Sequence, residues 1–166
     1  MKTWNVLVGI SLAFTLAACG GQADEEENQD IPAGGDSTMS GEWLFTVDHQ
    51  LSDDMLYVEM YIENDSEEAQ TLTFPSQQLY EITLVNAQEE EVFRYSNEHM
   101  FAQSVTEKTY EPGETQDLRE EIPTEDIPAG SYMMTVELMV DDSTVESLSD
   151  PGTFTKSIEV EISESE

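Results

Sequence analysis

The sequence predicts an all-β protein in which a single antiparallel β-sandwich domain occupies residues 42–163. Apolar residues recur at every second position in several short runs, which is the period of a strand that buries one face. Turn-forming residues separate these runs at short intervals, as is typical of a sandwich. No stretch keeps a helical period for more than a turn or two. These three observations favour two packed sheets over a helical or mixed architecture.

Three runs show the clearest alternation, and each predicts a strand with one face in the core. Their inward residues are Leu56, Val58, Met60 and Ile62 in the first run, Tyr132, Met134, Val136, Leu138 and Val140 in the second, and Phe154, Ile158, Val160 and Ile162 in the third. Weaker patterns predict strands at residues 42–48, 70–74, 80–85, 91–96 and 115–121. A short helix is expected within residues 97–105, because Met100, Phe101 and Val105 fall roughly on one side.

Turns between the strands are marked by residues that favour tight backbone conformations. Pro75 follows one predicted strand, and Asn64-Asp65-Ser66 and Pro112-Gly113 mark two further turns. Pro128-Ala129-Gly130 precedes the run that begins at Tyr132. A tyrosine at this position is compatible with a tyrosine corner, in which the phenol hydroxyl binds the backbone a few residues upstream.

Residues 1–19 have the layout of a bacterial lipoprotein signal. Lys2 is followed by an apolar stretch at residues 6–16 and then by Leu16-Ala17-Ala18-Cys19. The apolar stretch is shorter than the roughly 20 residues that span a bilayer, so it predicts a signal peptide at residues 1–18 rather than an anchor helix. Cys19 is then the lipid attachment site, and we expect the protein at the cell membrane, on its extracytoplasmic face. The alternative is an ordinary secreted protein in which a cysteine falls there by chance.

Cys19 is the only cysteine in the sequence, which excludes a disulfide, a thiolate nucleophile and a cysteine-based zinc site if it is acylated. Residues 19–41 are dominated by Gly, Asp, Glu, Gln and Ser and contain too few apolar residues to form a core. This segment is predicted to be a disordered acidic tether between the anchor and the domain.

The chain is strongly acidic, with 37 Asp and Glu against 5 Lys and Arg and a formal net charge of -32. Loss of residues 1–18 removes Lys2 and no acid, so the formal charge falls by one to -33. A surface of this sign repels phosphates, which excludes nucleic acid and anionic headgroups as partners held by charge attraction. We expect no metal, because Glu89-Glu90-Glu91 and Asp141-Asp142 lack the ligand spacing of an EF-hand loop. We expect no cofactor, because the sequence has no phosphate-binding Gly-rich loop and no dinucleotide fingerprint. The sequence leaves other calcium binding open.

Several short pieces between residues 58 and 140 occur in a specific order and spacing. They are Ile62-Glu63-Asn64, Phe74 with Gln78, Tyr80 and Glu81, Phe93-Arg94-Tyr95-Ser96, Met100-Phe101-Ala102-Gln103, Pro112-Gly113-Glu114-Thr115 and Gly130-Ser131-Tyr132. In these pieces the chain resembles the BsuPI-type intracellular proteinase inhibitor domain. The resemblance implies an immunoglobulin-like antiparallel β-sandwich. Two departures are Gln77, where the family often has Gly, and Ile122, near which the family often has a tryptophan.

The resemblance implies a protein-binding module rather than an enzyme. The family name says intracellular, whereas this chain carries an export signal, so the expected partner is an extracytoplasmic protease or another envelope protein. The candidate binding residues are Asn97, Glu98 and His99, in a loop predicted at residues 97–110. Loops at residues 75–79 and 141–152 are further candidates. The alternative function is a structural or accessory envelope lipoprotein that uses the sandwich as a scaffold or adhesion module, because a fold does not fix a function.

Most residues of the family pattern are expected to serve packing and turns. They are Phe74, Gln78, Tyr80, Phe93, Arg94, Tyr95, Ser96, Phe101, Gln103, Pro112, Gly113, Gly130 and Tyr132. Arg94 is expected to pair with an acid or to stack on Tyr95, with capture of a partner's carboxylate as the alternative. No catalytic residue is predicted, because His49 and His99 occur without a nucleophile elbow, a phosphate-binding loop, a zinc motif or a dinucleotide fingerprint.

Overall fold

The structure, a computed structural model, describes residues 36–39, 42–52 and 54–163, with the backbone alone for residues 36–39. Over these residues the chain forms ten strands and two short helices. In chain order they are β1 Asp36–Met39, β2 Trp43–Ser52, β3 Met55–Asn64, β4 Gln70–Phe74, β5 Tyr80–Asn86, β6 Glu91–Arg94, α1 Tyr95–Glu98, β7 Thr106–Tyr110, β8 Thr115–Pro123, β9 Gly130–Leu138, α2 Asp142–Ser147 and β10 Thr155–Ile162.

The strands form two four-stranded sheets and one two-stranded ribbon. The first sheet has the order β1-β2-β3-β8, the second β10-β9-β5-β6, and the ribbon pairs β4 with β7. Every neighbouring pair is antiparallel. The predicted immunoglobulin-like antiparallel β-sandwich is confirmed.

The core lies between the two sheets because long strands of both sheets, among them β2, β3 and β9, bury alternate side chains. In β3 the burial alternates over the whole strand, so that Leu56, Val58, Met60 and Ile62 point inward as predicted. The ring of Phe154 contacts Trp43 at 5.8 Å and Phe45 at 6.4 Å between ring centroids, both edge to face. These contacts connect β2 of the first sheet to the turn that leads into β10 of the second. Burial of each such side chain stabilises the fold by about 1.5–3 kcal/mol or more.

The three strongest strand predictions are confirmed as β3, β9 and β10, with boundaries that differ by at most two residues from the predicted runs. The buried face of β10 also contains Lys156, which is 1% exposed. The apolar pattern left this position unassigned, because a lysine is rarely buried. The structure therefore places a lysine within a face that the sequence predicts from its apolar members alone.

The prediction was wrong in detail between residues 91 and 110. The strand ends at Arg94, and residues 95 and 96 begin α1, so the helix lies two residues earlier than expected. The predicted loop at residues 97–110 also contains β7, which pairs with β4 from Thr106 to Tyr110. Tyr110 is the only apolar residue of β7, so the strand has no periodic pattern and forms because β4 supplies the partner.

Four residues of the predicted tether, Asp36–Met39, form β1 and pair with residues 44–47 of β2. The rest of residues 19–41 and the predicted signal peptide lie outside the described residues, as does Cys19. Within the part of the chain that the structure describes, no helix has the length and apolar character needed to cross a membrane.

Tyr132 forms the tyrosine corner that the sequence made plausible. Its hydroxyl donates a hydrogen bond of 2.6 Å to the carbonyl oxygen of Pro128, four residues upstream. The ring is 5% exposed at the start of β9. The bond fixes the connection that enters the second sheet.

Asn64, at the end of β3, connects two turns of the chain through hydrogen bonds. Its side-chain amide donates to the carbonyl oxygens of Glu68 at 2.8 Å and Tyr110 at 2.9 Å, and its Oδ1 accepts from Ser66. Its own carbonyl accepts from the backbone of Gly113 at 2.8 Å. Gly113 has a φ of +73°, a conformation that favours glycine. The Pro112-Gly113 turn of the family pattern is thereby held against β3.

Candidate protein-binding site

A backbone hydrogen bond connects two of the three loops that the sequence singled out. Gln77, in the turn after β4, donates from its backbone N–H to the carbonyl oxygen of Ala102 at 3.0 Å. The segment from residue 99 to residue 105, which follows α1 and precedes β7, is here named the 99–105 loop. The third candidate, residues 141–152, does not project freely, because it contains α2 and buries Leu148.

Aromatic rings support the base of the 99–105 loop. Tyr80 at the start of β5 stacks on Tyr95 of α1, with ring centroids 4.9 Å apart. Tyr95 in turn contacts His99 at 4.2 Å and Phe101 at 5.7 Å. The rings of His99 and Phe101 are 6.1 Å apart. These four rings are here named the aromatic cluster, and Tyr95 is its centre.

Tyr80 ties the cluster to the first sheet. Its hydroxyl donates to a carboxylate oxygen of Glu120 in β8 at 2.7 Å. Burial, together with the hydrogen bonds to Tyr95 and Glu120, raises the pKa of Tyr80 well above its ordinary value. The phenol therefore stays protonated and keeps its donor role throughout the physiological pH range.

Glu81, the next residue of β5, anchors the chain where it leaves β6. Its Oε1 accepts from the backbone N–H of Ser96 at 3.0 Å and from that of Ile82 at 3.2 Å. Its Oε2 accepts from Gln78 Nε2 at 3.2 Å. The first N–H groups of a helix lack partners within it, and Arg94 at the N-cap provides no side-chain acceptor. Glu81 supplies that acceptor from another strand.

Arg94 pairs with acids, which is one of the two structural roles expected for it. Its guanidinium binds the carboxylate of Glu91 in a bidentate pair, and its Nη1 lies 3.6 Å from Glu81 Oε2. The hydrogen bond from Arg94 lowers the pKa of Glu91. Gln78 binds turn backbone by donating to the carbonyl oxygen of Tyr80 at 3.0 Å. These contacts surround the base of the loop with satisfied polar groups.

The remaining residues of the family pattern are distributed between the core and the turns. Phe74 is fully buried at the end of β4, whereas Phe93 is half-buried opposite Leu84 of β5. Gln103 is exposed in the 99–105 loop, and its amide lies 3.5 Å from the carbonyl of Phe101. Ile122, near which the family often has a tryptophan, is buried.

The predicted binding residues Asn97, Glu98 and His99 are all exposed. Asn97 and Glu98 belong to α1, and His99 begins the 99–105 loop. His99 is restrained despite its exposure, because its Nδ1 lies 3.0 Å from the carbonyl oxygen of Tyr95 and its ring packs on Tyr95. No finding tests their role in binding, which stays a prediction.

A depression of about 390 Å³ lies on the first sheet. It is lined by Asp48, His49, Gln50, Ser52, Tyr57, Glu59 and Arg119. Two of its charged side chains are already paired, because Arg119 forms an ion pair with Glu59, and Tyr61 also donates to Glu59 at 2.9 Å. The hydrogen bond from Tyr61, reinforced by Arg119, lowers the pKa of Glu59. The 99–105 loop, which presents unpaired apolar surface, is the stronger candidate for binding a protein.

Two residues that matter here were not among the predicted site residues. Glu81 is recognisable only once the fold brings Ser96 beside it, fifteen positions along the chain. Met100 was assigned to a helix face, although the structure leaves it fully exposed. Across the described ranges, no group of three or more His, Cys, Asp or Glu side chains is arranged to hold a metal ion.

Comparison with known proteins identifies one family. The sequence model described as BsuPI, intracellular proteinase inhibitor, matches residues 43–143, which include the aromatic cluster and the 99–105 loop. A search of curated proteins found no significant match.

Solved structures give weaker similarities. A penta-heme cytochrome c552 from Thermochromatium tepidum aligns with 74% of this chain at 14% identity and a TM-score of 0.41. A beta-glucosidase from Listeria innocua, in complex with gluconolactone, aligns with 72% at 14% identity and a TM-score of 0.39. The chain spans 40% of the cytochrome and 16% of the glucosidase.

Proposed function

Since the chain belongs to the BsuPI family of intracellular proteinase inhibitors, we propose that it is a membrane-anchored, extracytoplasmic protein that binds and inhibits a protease. The sandwich acts as a rigid support, and the 99–105 loop with the adjoining residues Asn97 and Glu98 contacts the protease cleft. The protein has no catalytic role of its own in this proposal.

The single observation that carries the proposal is the restraint of an exposed loop within the family's matched segment. Aromatic stacking and the hydrogen bonds of Glu81, Gln77 and His99 fix both ends of the loop. A loop that is ordered before binding loses less conformational entropy when it enters a cleft. Protease inhibitors use such preorganised, extended segments for recognition.

The proposed location rests on the sequence of residues 1–19. The short apolar stretch and the Leu16-Ala17-Ala18-Cys19 segment support export followed by acylation of Cys19. A target outside the cytoplasm follows from that location, because the inhibitor and its protease must share a compartment.

The activity is tested by titrating the full chain, in a mild detergent, into a panel of secreted serine proteases and measuring hydrolysis of small substrates. We expect at least one protease to be inhibited with a 1:1 stoichiometry. Combined alanine substitutions at Asn97, Glu98 and His99 should weaken that inhibition. A panel left untouched at micromolar chain would favour the alternative of a scaffold or adhesion lipoprotein without inhibitory activity.

The anchor is tested separately by Cys19→Ala. Because Cys19 is the only cysteine, the variant should incorporate no labelled fatty acid and should leave the membrane fraction. A diacyl anchor buries many methylene groups at about 0.8 kcal/mol each, so its loss is large enough to release the protein. Normal labelling of the variant would sink the lipoprotein assignment while leaving the inhibitor assignment standing.

A further inference from the structure

Met100 is the most exposed large apolar residue among those the structure describes, with a relative accessibility of 101%. Its two neighbours, His99 and Phe101, both pack on Tyr95. The backbone at His99 is extended, with φ of -126° and ψ of 148°. Successive side chains of an extended chain point to opposite sides. The packing of His99 and Phe101 on Tyr95 therefore leaves Met100 pointing away from the domain.

The chain is held on both sides of Met100, by a side-chain contact before it and by a backbone hydrogen bond after it. Before it, His99 Nδ1 lies 3.0 Å from the carbonyl oxygen of Tyr95. After it, the carbonyl of Ala102 accepts the N–H of Gln77 at 3.0 Å. A side chain that projects from a segment held on both sides can enter a protease cleft in the way a substrate side chain does. The position of Met100 is thus fixed by contacts that Met100 itself does not make.

We infer that Met100 is the primary specificity residue of the inhibitor, and that it enters an apolar specificity pocket of its target protease. This inference rests on the proposed function and specifies the class of target. Methionine is apolar, unbranched and flexible, so it fits a deep apolar pocket and gains no ion pair in the acidic pocket of a protease that selects Lys or Arg. Proteases that cleave after large apolar residues are therefore the expected targets.

The experiment compares the full chain with Met100→Ala and Met100→Lys, in the same detergent, against one protease that cleaves after large apolar residues and one that cleaves after Lys or Arg. Met133→Ala is the matched control, because Met133 is also exposed, at 46%, but belongs to β9 and lies outside the loop. Thermal melting of each variant checks the fold, which should be unchanged because Met100 makes no core contact.

We expect the original chain to inhibit the first protease and Met100→Ala to raise the inhibition constant by about 10–100-fold, the effect of losing one buried apolar side chain. Met100→Lys should lose the first protease and gain the second, and Met133→Ala should change neither constant. Inhibition that is unaffected by both Met100 variants overturns this inference and leaves the proposed function intact. A chain that inhibits no protease overturns both.

Discussion

At the scale of single residues, the fold depends on side chains that replace missing backbone partners. Glu81 satisfies the N–H of Ser96, and Asn64 satisfies the carbonyls of Glu68 and Tyr110. Such bonds contribute about 0.5–1.5 kcal/mol each, but removing one partner from a buried site costs more, because the other is left unsatisfied. Polar residues therefore set the positions of turns that the apolar core alone would leave loose.

Tyr110 should make the domain less stable at alkaline pH. Burial, together with the negative charge of Glu114, raises the pKa of Tyr110 from 10.0 to about 12. The folded state thus holds the phenol proton more tightly than the unfolded chain does. This contribution to stability is complete below pH 10, the ordinary value, and is lost as the pH rises toward 12.

Tyr110→Phe should therefore flatten the decline of the unfolding free energy above pH 10. Urea unfolding of the variant and the original chain, followed from pH 8 to pH 11.5, checks this. At pH 8 the variant should be less stable by about 1 kcal/mol, because it lacks the hydroxyl group that donates a hydrogen bond to Gln116. Parallel curves above pH 10 would contradict the assignment of that decline to Tyr110.

At the scale of elements, strands with alternating apolar residues could be predicted from the sequence. Elements that form only because they contact another part of the chain could not. β3 and β9 carry their burial pattern in their own sequence, so their existence and faces followed directly. β7 has a polar sequence and exists because it pairs with β4. α1 begins where Glu81 accepts a hydrogen bond from Ser96 and Tyr80 stacks on Tyr95. Its position therefore depends on contacts distant in sequence.

Within the candidate site, too, some residues could be predicted from the sequence and others only from the structure. The family pattern directed attention to residues 97–99, the last of which begins the loop, because the resemblance runs through Tyr95 and Phe101. The outward position of Met100 required the side-chain directions of its neighbours, which only the fold provides. The sequence alone assigned Met100 to one side of a helix, and the extended backbone at His99 shows why that was wrong.

The aromatic cluster should control how firmly the 99–105 loop is held. Tyr95→Ala removes the ring on which His99 and Phe101 pack, so the loop should detach more often from the turn that contains Gln77. The measurement is amide hydrogen exchange of Gln77, whose N–H binds the Ala102 carbonyl. We expect exchange to accelerate at least several-fold.

Tyr57→Ala provides the control for that experiment, since Tyr57 is a half-buried tyrosine of β3 outside the cluster. It should leave the exchange of Gln77 close to that of the original chain, after correction for any change in global stability. Equal acceleration in both variants would mean that the loop is not specifically restrained by Tyr95.

At the scale of the whole molecule, the excess of acids dominates the electrostatics. The formal net charge is -32, and Arg94 and Arg119 are already paired with glutamates. Raising sodium chloride from about 10 mM to about 150 mM shortens the screening length from roughly 30 Å to 8 Å. The melting temperature at pH 7 should rise over this range, because repulsion between neighbouring acids weakens.

The salt effect should be smaller near pH 4.5, where part of the carboxylates is protonated and the repulsion is already reduced. Thermal unfolding at both pH values, over the same salt series, measures the difference. A melting temperature that is flat or falling at pH 7 would show that the acids are too dispersed to destabilise the fold.

The central claim is that the domain binds a protease through the 99–105 loop. Its most direct test is an amide hydrogen-exchange footprint of the full chain with and without the protease it inhibits most strongly, used with its catalytic serine blocked by mutation to alanine. We predict slower exchange at residues 99–105 and in the adjoining turn at residues 75–79, with β10 unchanged. Protection confined to other surfaces, or no protection in a complex that forms, would contradict the account.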